Sequence, residues 1–492
     1  MPTETVEPER MLPPDYEPPR GHRGQGLDRR LALPLILLTF ASMLACRAAS
    51  RLGGELFPPP STPTSRATAP AISTPSPAPP ESLASSTPAP TPSATIPPAP
   101  ELSPTAAVQT PPAWQIEVFE ELWSAVNEEY LYDDFNGVDW DAIREEYLAR
   151  ILAGMDPQEF YFAMDEMLFR LGDDHSFFLN PTEVVQEESE LAGEMEYVGV
   201  GILITSEPER GRAIVLLTFP NSPAERAGLK SRDLILEIDG VPVSGREPNL
   251  GQWIRGPAGS EVVLKMQSPG EEPREVRIVR EQIFGPIQVP FQVLESPDGQ
   301  RVGYVMIPTF ADSTISGQVE DAIESMGGTA PLQGLIVDNR WNNGGVDTML
   351  RGTLSLFVQG LVGYFVNNNG DRGLTIEPND ISGSQELDLV VLIGPDTISF
   401  GEIFAGILSD LGRAHLIGEL TGGNVETLWG YDFSDGSRAW IAHDSFRPLN
   451  HPDADWESTG VVPDEAVLAA WEEFRLEDDP VIRAALDYFD RE

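Results

Sequence analysis

Lysine, cysteine and histidine are all scarce in this chain of 492 residues. The two lysines are Lys230 and Lys265, and Cys46 is the single cysteine, which excludes an intrachain disulfide and a cysteine cluster for metal. The five histidines lack the regular spacing of metal ligands. We therefore expect neither a metal nor an organic cofactor.

Basic residues in general are few. The chain carries 78 acidic against 32 basic residues, a formal net charge of −46. A surface of this sign repels phosphates, so nucleic acid is excluded as a partner and so is an anionic lipid surface. The length is sufficient for two or three domains.

The N-terminus has the pattern of an export segment. Arg29 and Arg30 precede an apolar run over residues 31–46 that is shorter than the roughly 20 residues needed to cross a bilayer. A basic start, an apolar stretch and small residues at its end are typical of a signal, which we predict for 1–46. Because the run ends at Cys46, it resembles a bacterial lipoprotein signal with lipid on that cysteine; the alternative is an uncleaved anchor. Both place the protein outside the cytoplasm, tethered to the outer face of the membrane only by this segment.

Residues 47–112 are dominated by Pro, Ser, Thr and Ala and show no apolar periodicity. Such a composition predicts a disordered, semi-extended tether. Order is expected from Trp114 onward, where three stretches at helical spacing predict an N-terminal helical region over 113–192.

Short alternating strands follow from Gly199, and the segment resembles a PDZ domain of the kind found in bacterial proteases. The resemblance is carried by Gly199-Val200-Gly201-Ile202, Ser222-Pro223-Ala224 and Ile238-Asp239-Gly240. It implies a PDZ domain over 193–285 in which the first of these motifs binds an extended peptide by strand addition. The competing interpretation is that the glycines only form turns.

Beyond residue 286 the pattern alternates between strands and helices, which predicts a layered βα core over 286–492. The complete chain is therefore predicted to be α+β. Within the core, Ser399 and Glu402 stand three apart at the start of a predicted helix. That spacing is typical of a capping box, although a helix start also suits a nucleophile because its free amides stabilise an oxyanion.

Residues 113–475 resemble the C-terminal processing peptidases, or tail-specific proteases, and their tricorn-like relatives. The nucleophile motif corresponds to Ser399 followed by 402–406, and a strand-to-turn motif corresponds to 338–345, which includes Asn342-Asn343-Gly344-Gly345. The resemblance implies a peptidase core of the ClpP/crotonase type with Ser399 as the nucleophile. It also implies an oxyanion hole formed by the amides of Gly344 or Gly345 and of Phe400. The alternative for the glycine pair is a tight turn.

The lysine that these peptidases use as a base is absent. Asn424 stands at its position in the turn 421–424, and both lysines of the chain lie in the PDZ segment. The tricorn-like relatives instead pair serine with a histidine, which the resemblance places at His175, supported by a glutamate, which it places at Glu457. Asp174 precedes the histidine where those relatives have serine, so Asp174 or Glu457 would orient the imidazole. The alternative for His175 is a cation at the end of the third helix.

For three further histidines we predict positions away from the catalytic motifs. His415 is expected on a core strand with a structural role, and His443 and His451 are expected in a loop. If His175 is the base, activity is expected to rise with pH through the titration of an imidazole, near pH 6 to 7 when unperturbed.

The resemblance implies a serine endopeptidase that cleaves exported or unfolded proteins near their carboxyl termini, with a PDZ domain that recruits or gates substrate. Its partners would be polypeptides with free carboxyl termini. The alternative is a catalytically inactive peptide- or ligand-binding protein of the same fold, because a lost lysine is also what loss of catalysis would leave.

Overall fold

The computed structural model describes residues 112–173, 175–207, 210–245 and 250–491. The chain forms two compact units, one of residues 199–281 and one that contains the described residues on either side of it. No helix in these described ranges is both long and apolar enough to cross a bilayer. The predicted signal, Cys46 and most of the predicted tether lie outside the described residues.

Four helices open the larger unit, and local capping explains where the second, third and fourth begin. Asp139 accepts a hydrogen bond from the amide of Ala142, while Asp156 and Asn180 each form a capping box with the glutamate three residues on. The helices are α1 (Ala113–Glu129), α2 (Trp140–Leu152), α3 (Pro157–Phe169) and α4 (Pro181–Leu191), with the short strand β1 (Phe177–Leu179) before α4.

The helices do not form a core of their own. Phe119, Tyr147 and Phe160 are fully buried in a cluster that also contains Phe433 and Ile441 from far along the chain. The predicted helical region therefore shares one hydrophobic core with the C-terminal part of the protein.

The smaller unit is an antiparallel sheet in the order β3-β4-β5-β7-β8, with β6 paired to β5. Its strands are β3 (Ile202–Glu207), β4 (Arg212–Thr218), β5 (Leu234–Ile238), β6 (Val241–Pro242), β7 (Glu261–Gln267) and β8 (Arg274–Val279), and its helices are α5 (Pro223–Arg226) and α6 (Leu250–Ile254). Before and after it, β2 (Glu196–Gly199) pairs with β9 (Glu281–Phe284). Within the described strands, β3 is an edge strand with β4 as its one neighbour.

The larger unit contains a six-stranded sheet in the order β10-β11-β12-β15-β16-β19. The pairing is parallel from β11 to β19, and β10 runs antiparallel at the edge. The strands are β10 (Phe291–Glu295), β11 (Arg301–Met306), β12 (Gly334–Asp338), β15 (Asp388–Ile393), β16 (His415–Gly418) and β19 (Glu465–Ala466). All five residues of β12 are buried, as expected for a central parallel strand.

A second, antiparallel sheet is formed by strands that the sequence analysis did not predict. It has the order β1-β18-β13-β14, with β17 also paired to β18. Its strands are β13 (Gly360–Asn367), β14 (Gly370–Ile376), β17 (Thr427–Asp432) and β18 (Arg438–Pro448). The predicted loop position of His443 is wrong, because this residue lies in the middle of β18. Burial alternates at both ends of β18 but is continuous over residues 441–444, so the period of a half-exposed strand is interrupted in its middle.

Five helices in the described part of the core accompany these sheets. They are α7 (Ile315–Gly327), α8 (Asp347–Leu354), α9 (Phe400–Asp410), α10 (Trp456–Thr459) and α11 (Pro480–Phe489). Because β12, β15 and β16 are parallel neighbours, the loops that follow them all leave the sheet at the carboxyl end of its strands.

Candidate active site

Three loops at this end of the sheet contain Gly344, Ser399 and Asn424, three of the residues singled out by the sequence. The loop after β12 carries Gly344, the loop after β15 ends at Ser399, and the loop after β16 carries Asn424. They contact one another directly: Ile398 donates its amide to the carbonyl of Asn342 at 3.1 Å, and Ser399 donates its amide to the carbonyl of Asn424 at 2.7 Å.

Ser399 is not a helix cap in the usual sense. Its backbone lies at φ 55° and ψ −126°, in the half of conformational space that strains a residue with a Cβ, and its side chain makes no capping hydrogen bond. Strain of this kind costs about 1–3 kcal/mol and persists mainly at functional sites. The capping-box interpretation of Ser399 and Glu402 is therefore wrong.

Glu402 holds the turn 421–424 instead. Its fully buried carboxylate accepts hydrogen bonds from Thr421 Oγ1 at 2.5 Å and from the amides of Gly423 and Asn424, both at 2.8 Å. Burial raises the pKa of Glu402, although these three donors oppose the shift. The buried carboxylate thus attaches the turn to the first turn of α9, beside Ser399.

The glycine turn lies against Ser399. A Cβ added to Gly344, which has φ +84°, would lie 2.7 Å from the Cβ of Ser399 and 3.0 Å from both Ser399 Oγ and the amide nitrogen of Phe400. At Gly345, φ +148°, it would lie 2.0 Å from the carbonyl carbon of Phe310. Only glycine fits at either position.

The predicted oxyanion donors differ in whether their amides already have a hydrogen-bond acceptor. The amide of Gly344 already donates to Asn342 Oδ1 at 3.1 Å. No described residue accepts a hydrogen bond from the amide of Gly345 or of Phe400. These two N–H groups are available to a substrate oxygen.

His175 lies in the same compact unit as Ser399, in the loop after α3. That helix ends at Phe169, so the alternative of a cation at its C-terminus is wrong. Asp173 shapes the loop by accepting hydrogen bonds from the amides of His175 and Ser176, and Ser176 Oγ in turn accepts from Ala442 in β18. The loop is therefore attached at one side to the antiparallel sheet.

Two glutamates face one nitrogen of the buried imidazole. His175 Nε2 lies 3.3 Å from Glu457 Oε1 and 3.5 Å from Glu426 Oε2. The other oxygen of Glu457 accepts from the amides of Val425 at 2.6 Å and Glu426 at 3.0 Å. Asp174, the competing orienting residue, lies outside the described residues, and its role stays a prediction.

Burial by itself would lower the pKa of His175, but the hydrogen bond with Glu457 and the charges of Glu426 and Asp173 outweigh it and raise the pKa to about 9. Burial raises the pKa of Glu426 to about 7. The cluster therefore stabilises the imidazolium strongly.

Comparison with known proteins identifies the family of the chain. Family models match residues 301–467 (peptidase family S41), 112–169 (the tricorn protease C1 domain) and 220–268 (the PDZ domain). The carboxyl-terminal-processing protease of Synechocystis sp. is 32% identical over 375 residues, which cover 74% of this chain and 84% of the relative. The chain belongs to peptidase family S41.

Two further relatives support the assignment. The carboxyl-terminal-processing protease of Picosynechococcus sp. is 31% identical, with 70% of this chain and 82% of the relative covered. The solved structure of a photosystem II D1 C-terminal processing protease has a TM-score of 0.53 at 28% identity and covers 72% of this chain and 93% of that chain. The predicted family and the α+β class with a PDZ domain are confirmed, and the protein is a serine-type peptidase.

Within this S41 peptidase, Asn424 occupies the position predicted for lysine. Asn424 is 6% exposed, and its Oδ1 has no hydrogen-bond partner in the described residues. A neutral amide does not accept the proton of a serine, so position 424 supplies no base. The described residues also show no hydrogen bond between His175 and Ser399 Oγ.

The sequence analysis missed Glu426. No motif marks it, but it stands two residues after Asn424, and its burial at 4% exposure distinguishes it from a surface glutamate. His175, Glu426 and Glu457 present one ligand atom each within 4.8 Å of one another, a set that could hold a divalent cation. Residues this far apart in sequence give no ligand spacing by which such a set could be predicted.

Proposed function

We propose that this S41 peptidase cleaves exported or unfolded polypeptides near their carboxyl termini, with Ser399 as nucleophile and His175 as general base. The observation that carries the proposal is the strained Ser399 against the Gly344 turn, in one compact unit with a buried histidine paired to glutamates. The relatives named above are carboxyl-terminal-processing proteases, which supports the site of cleavage.

In the proposed mechanism, Ser399 Oγ attacks the scissile carbonyl carbon as its proton passes to His175. Because both carboxylates lie at Nε2, that nitrogen holds the proton of the neutral ring and Nδ1 is left to accept. The tetrahedral intermediate then breaks its C–N bond, His175 protonates the leaving amine, and water hydrolyses the acyl-enzyme by the same route. Catalytic hydrogen bonds are often long before substrate binds, so we expect Ser399 and His175 to approach in the complex.

The developing oxyanion would be held by the amides of Phe400 and Gly345. The Gly344 amide, predicted as an alternative donor, already donates to Asn342. We therefore assign Gly344 a steric role, since its missing Cβ allows the turn to approach Ser399.

In the PDZ unit we propose that residues Gly199–Ile202 and the edge strand β3 bind substrate. Gly201 has φ +81°, and β3 presents an edge to which an extended peptide can add as a further strand. This unit would recruit or gate the polypeptides that the core cleaves.

The test of the nucleophile is Ser399→Ala, with Ser409→Ala near the end of α9 as the matched control. We expect Ser399→Ala to lose cleavage of casein completely and Ser409→Ala to keep it, with thermal unfolding followed for both. Mass spectrometry of the products should show cuts near carboxyl termini. Cleavage at the wild-type rate by folded Ser399→Ala would contradict the proposal and favour a binding protein.

We further propose that the enzyme acts outside the cytoplasm, tethered through lipid on Cys46. Metabolic labelling with a fatty-acid analogue should mark the wild type and not Cys46→Ser. A mature protein that still carries residues before Cys46 would show that the lipoprotein interpretation is wrong.

A further inference from the structure

Glu426 occupies an unusual place for a carboxylate. It is 4% exposed, and its Oε2 accepts no hydrogen bond from any described residue while facing His175 Nε2 at 3.5 Å. Its Oε1 accepts a hydrogen bond from the hydroxyl of Tyr132, a residue that follows α1. A carboxylate is costly to bury, so its retention beside an imidazole indicates a charge partner.

The position of Glu426 along the chain adds a second observation. The turn 421–424 carries Asn424 where a lysine base was expected, and two residues later the same segment places Glu426 against His175. This segment therefore contributes no lysine base to the site, but it places a carboxylate beside the histidine.

We infer that Glu426, held by Tyr132, is a positioning residue that fixes His175 and stabilises the imidazolium formed when Ser399 loses its proton. This inference depends on the proposed role of His175 as general base. Glu426 does not touch substrate in this scheme and acts through the imidazole.

Glu457 does not make Glu426 redundant. Glu457 is 29% exposed, and one of its oxygens is already bonded to the amides of Val425 and Glu426. Glu426 is the more deeply buried of the two, where a charge acts more strongly because water screens it less.

The titratable groups around His175 come from four segments. Asp173 precedes it in its own loop, Glu457 comes from α10, and Glu426 from the segment before β17. Tyr132 contacts Glu426, and Tyr130 lies near Asp173. Of these groups, the three carboxylates favour the charged imidazole.

Removal of the Glu426 charge should therefore shift the pH profile of activity in one direction. Imidazolium becomes less stable, so the rising limb of activity against pH moves to lower pH while the maximal rate falls. Loss of a purely structural residue would lower the rate at every pH and leave the midpoint of the limb unmoved.

The experiment compares full-length wild type, Glu426→Gln, Glu426→Asp and Tyr132→Phe, with Glu129→Gln as the matched control. Glu129 also lies 3.3 Å from Nε2 of a buried histidine, His443, outside the site. The rate of casein cleavage is measured as kcat/KM from about pH 5.5 to about pH 10, with EDTA present throughout to remove cations.

For Glu426→Gln we expect the maximal kcat/KM to fall at least about tenfold and the midpoint to move down by about one pH unit. Glu426→Asp keeps the charge and should leave the midpoint closer to wild type. Tyr132→Phe should move it down by less than Glu426→Gln, and Glu129→Gln should change neither quantity.

An unmoved midpoint in folded Glu426→Gln would overturn the inference. If that variant does not fold, an unmoved midpoint in Tyr132→Phe overturns it instead. Wild-type activity in His175→Gln would contradict the proposed function itself, a result distinct from either of these.

Discussion

Two buried histidines in the larger unit have similar neighbours and different arrangements of them. His443 in β18 uses both nitrogens, with Nδ1 3.0 Å from Asp444 and Nε2 3.3 Å from Glu129, and its ring stacks on Trp429 at 4.2 Å between centroids. His175 has both of its carboxylates at Nε2. No described residue hydrogen-bonds to its Nδ1.

This difference separates a structural histidine from a proposed base. A ring with both nitrogens occupied has no lone pair to offer, whereas a ring held by one nitrogen can accept a proton at the other. Burial and acidic neighbours are common to both residues, so neither property alone identifies a catalytic histidine.

The largest expected effect is on activity. His175→Gln should lower kcat/KM for casein at least about 1,000-fold, as we also expect of Ser399→Ala, because members of one catalytic unit are not additive. His443→Gln should keep most of the activity and instead lose about 2 kcal/mol of unfolding free energy, since a buried ring and its contacts with two carboxylates are removed. Urea unfolding measures the second effect, and equal losses of activity in the two folded variants would contradict the distinction.

The pH dependence sharpens the same comparison. The sequence predicts a titration near pH 6 to 7, but the surrounding carboxylates raise the pKa of His175 to about 9. Activity should therefore rise with pH through a midpoint above 6.5, because the base must be neutral.

The stability linked to His175 has the opposite sign. Its folded pKa lies above the ordinary value of 6.5, so its contribution is complete below pH 6.5 and is lost as the pH rises through about 9. The loss is at most about 3 kcal/mol and should be absent in His175→Gln. A wild type whose unfolding free energy has the same slope as His175→Gln over this window would contradict the assignment.

Sequence reasoning identified the family and the motifs around Ser399 because glycine turns and helix starts leave local patterns. It misplaced His443, because the alternation of burial along β18 is interrupted over residues 441–444, which include this histidine. The spacing of Ser399 and Glu402 left a capping box open, since such a spacing does not reveal which backbone amides the carboxylate meets.

Glu426 shows a further limit of sequence reasoning. Its proposed role depends on Tyr132 and His175, which lie more than two hundred residues away along the chain and meet it only after the helices pack on the antiparallel sheet. Residue types and local spacing contain no signal for such a meeting.

The central claim is that His175 activates Ser399 in place of lysine, and the labelling of Ser399 by a fluorophosphonate tests it most directly. The rate is followed against pH in wild type, His175→Gln and Asn424→Lys, with peptide mass spectrometry to locate the adduct. We predict that Ser399 is labelled in wild type at a rate that rises with the titration of His175, and that His175→Gln removes the labelling. Labelling of His175→Gln at the wild-type rate, or labelling that requires Asn424→Lys, would contradict the account.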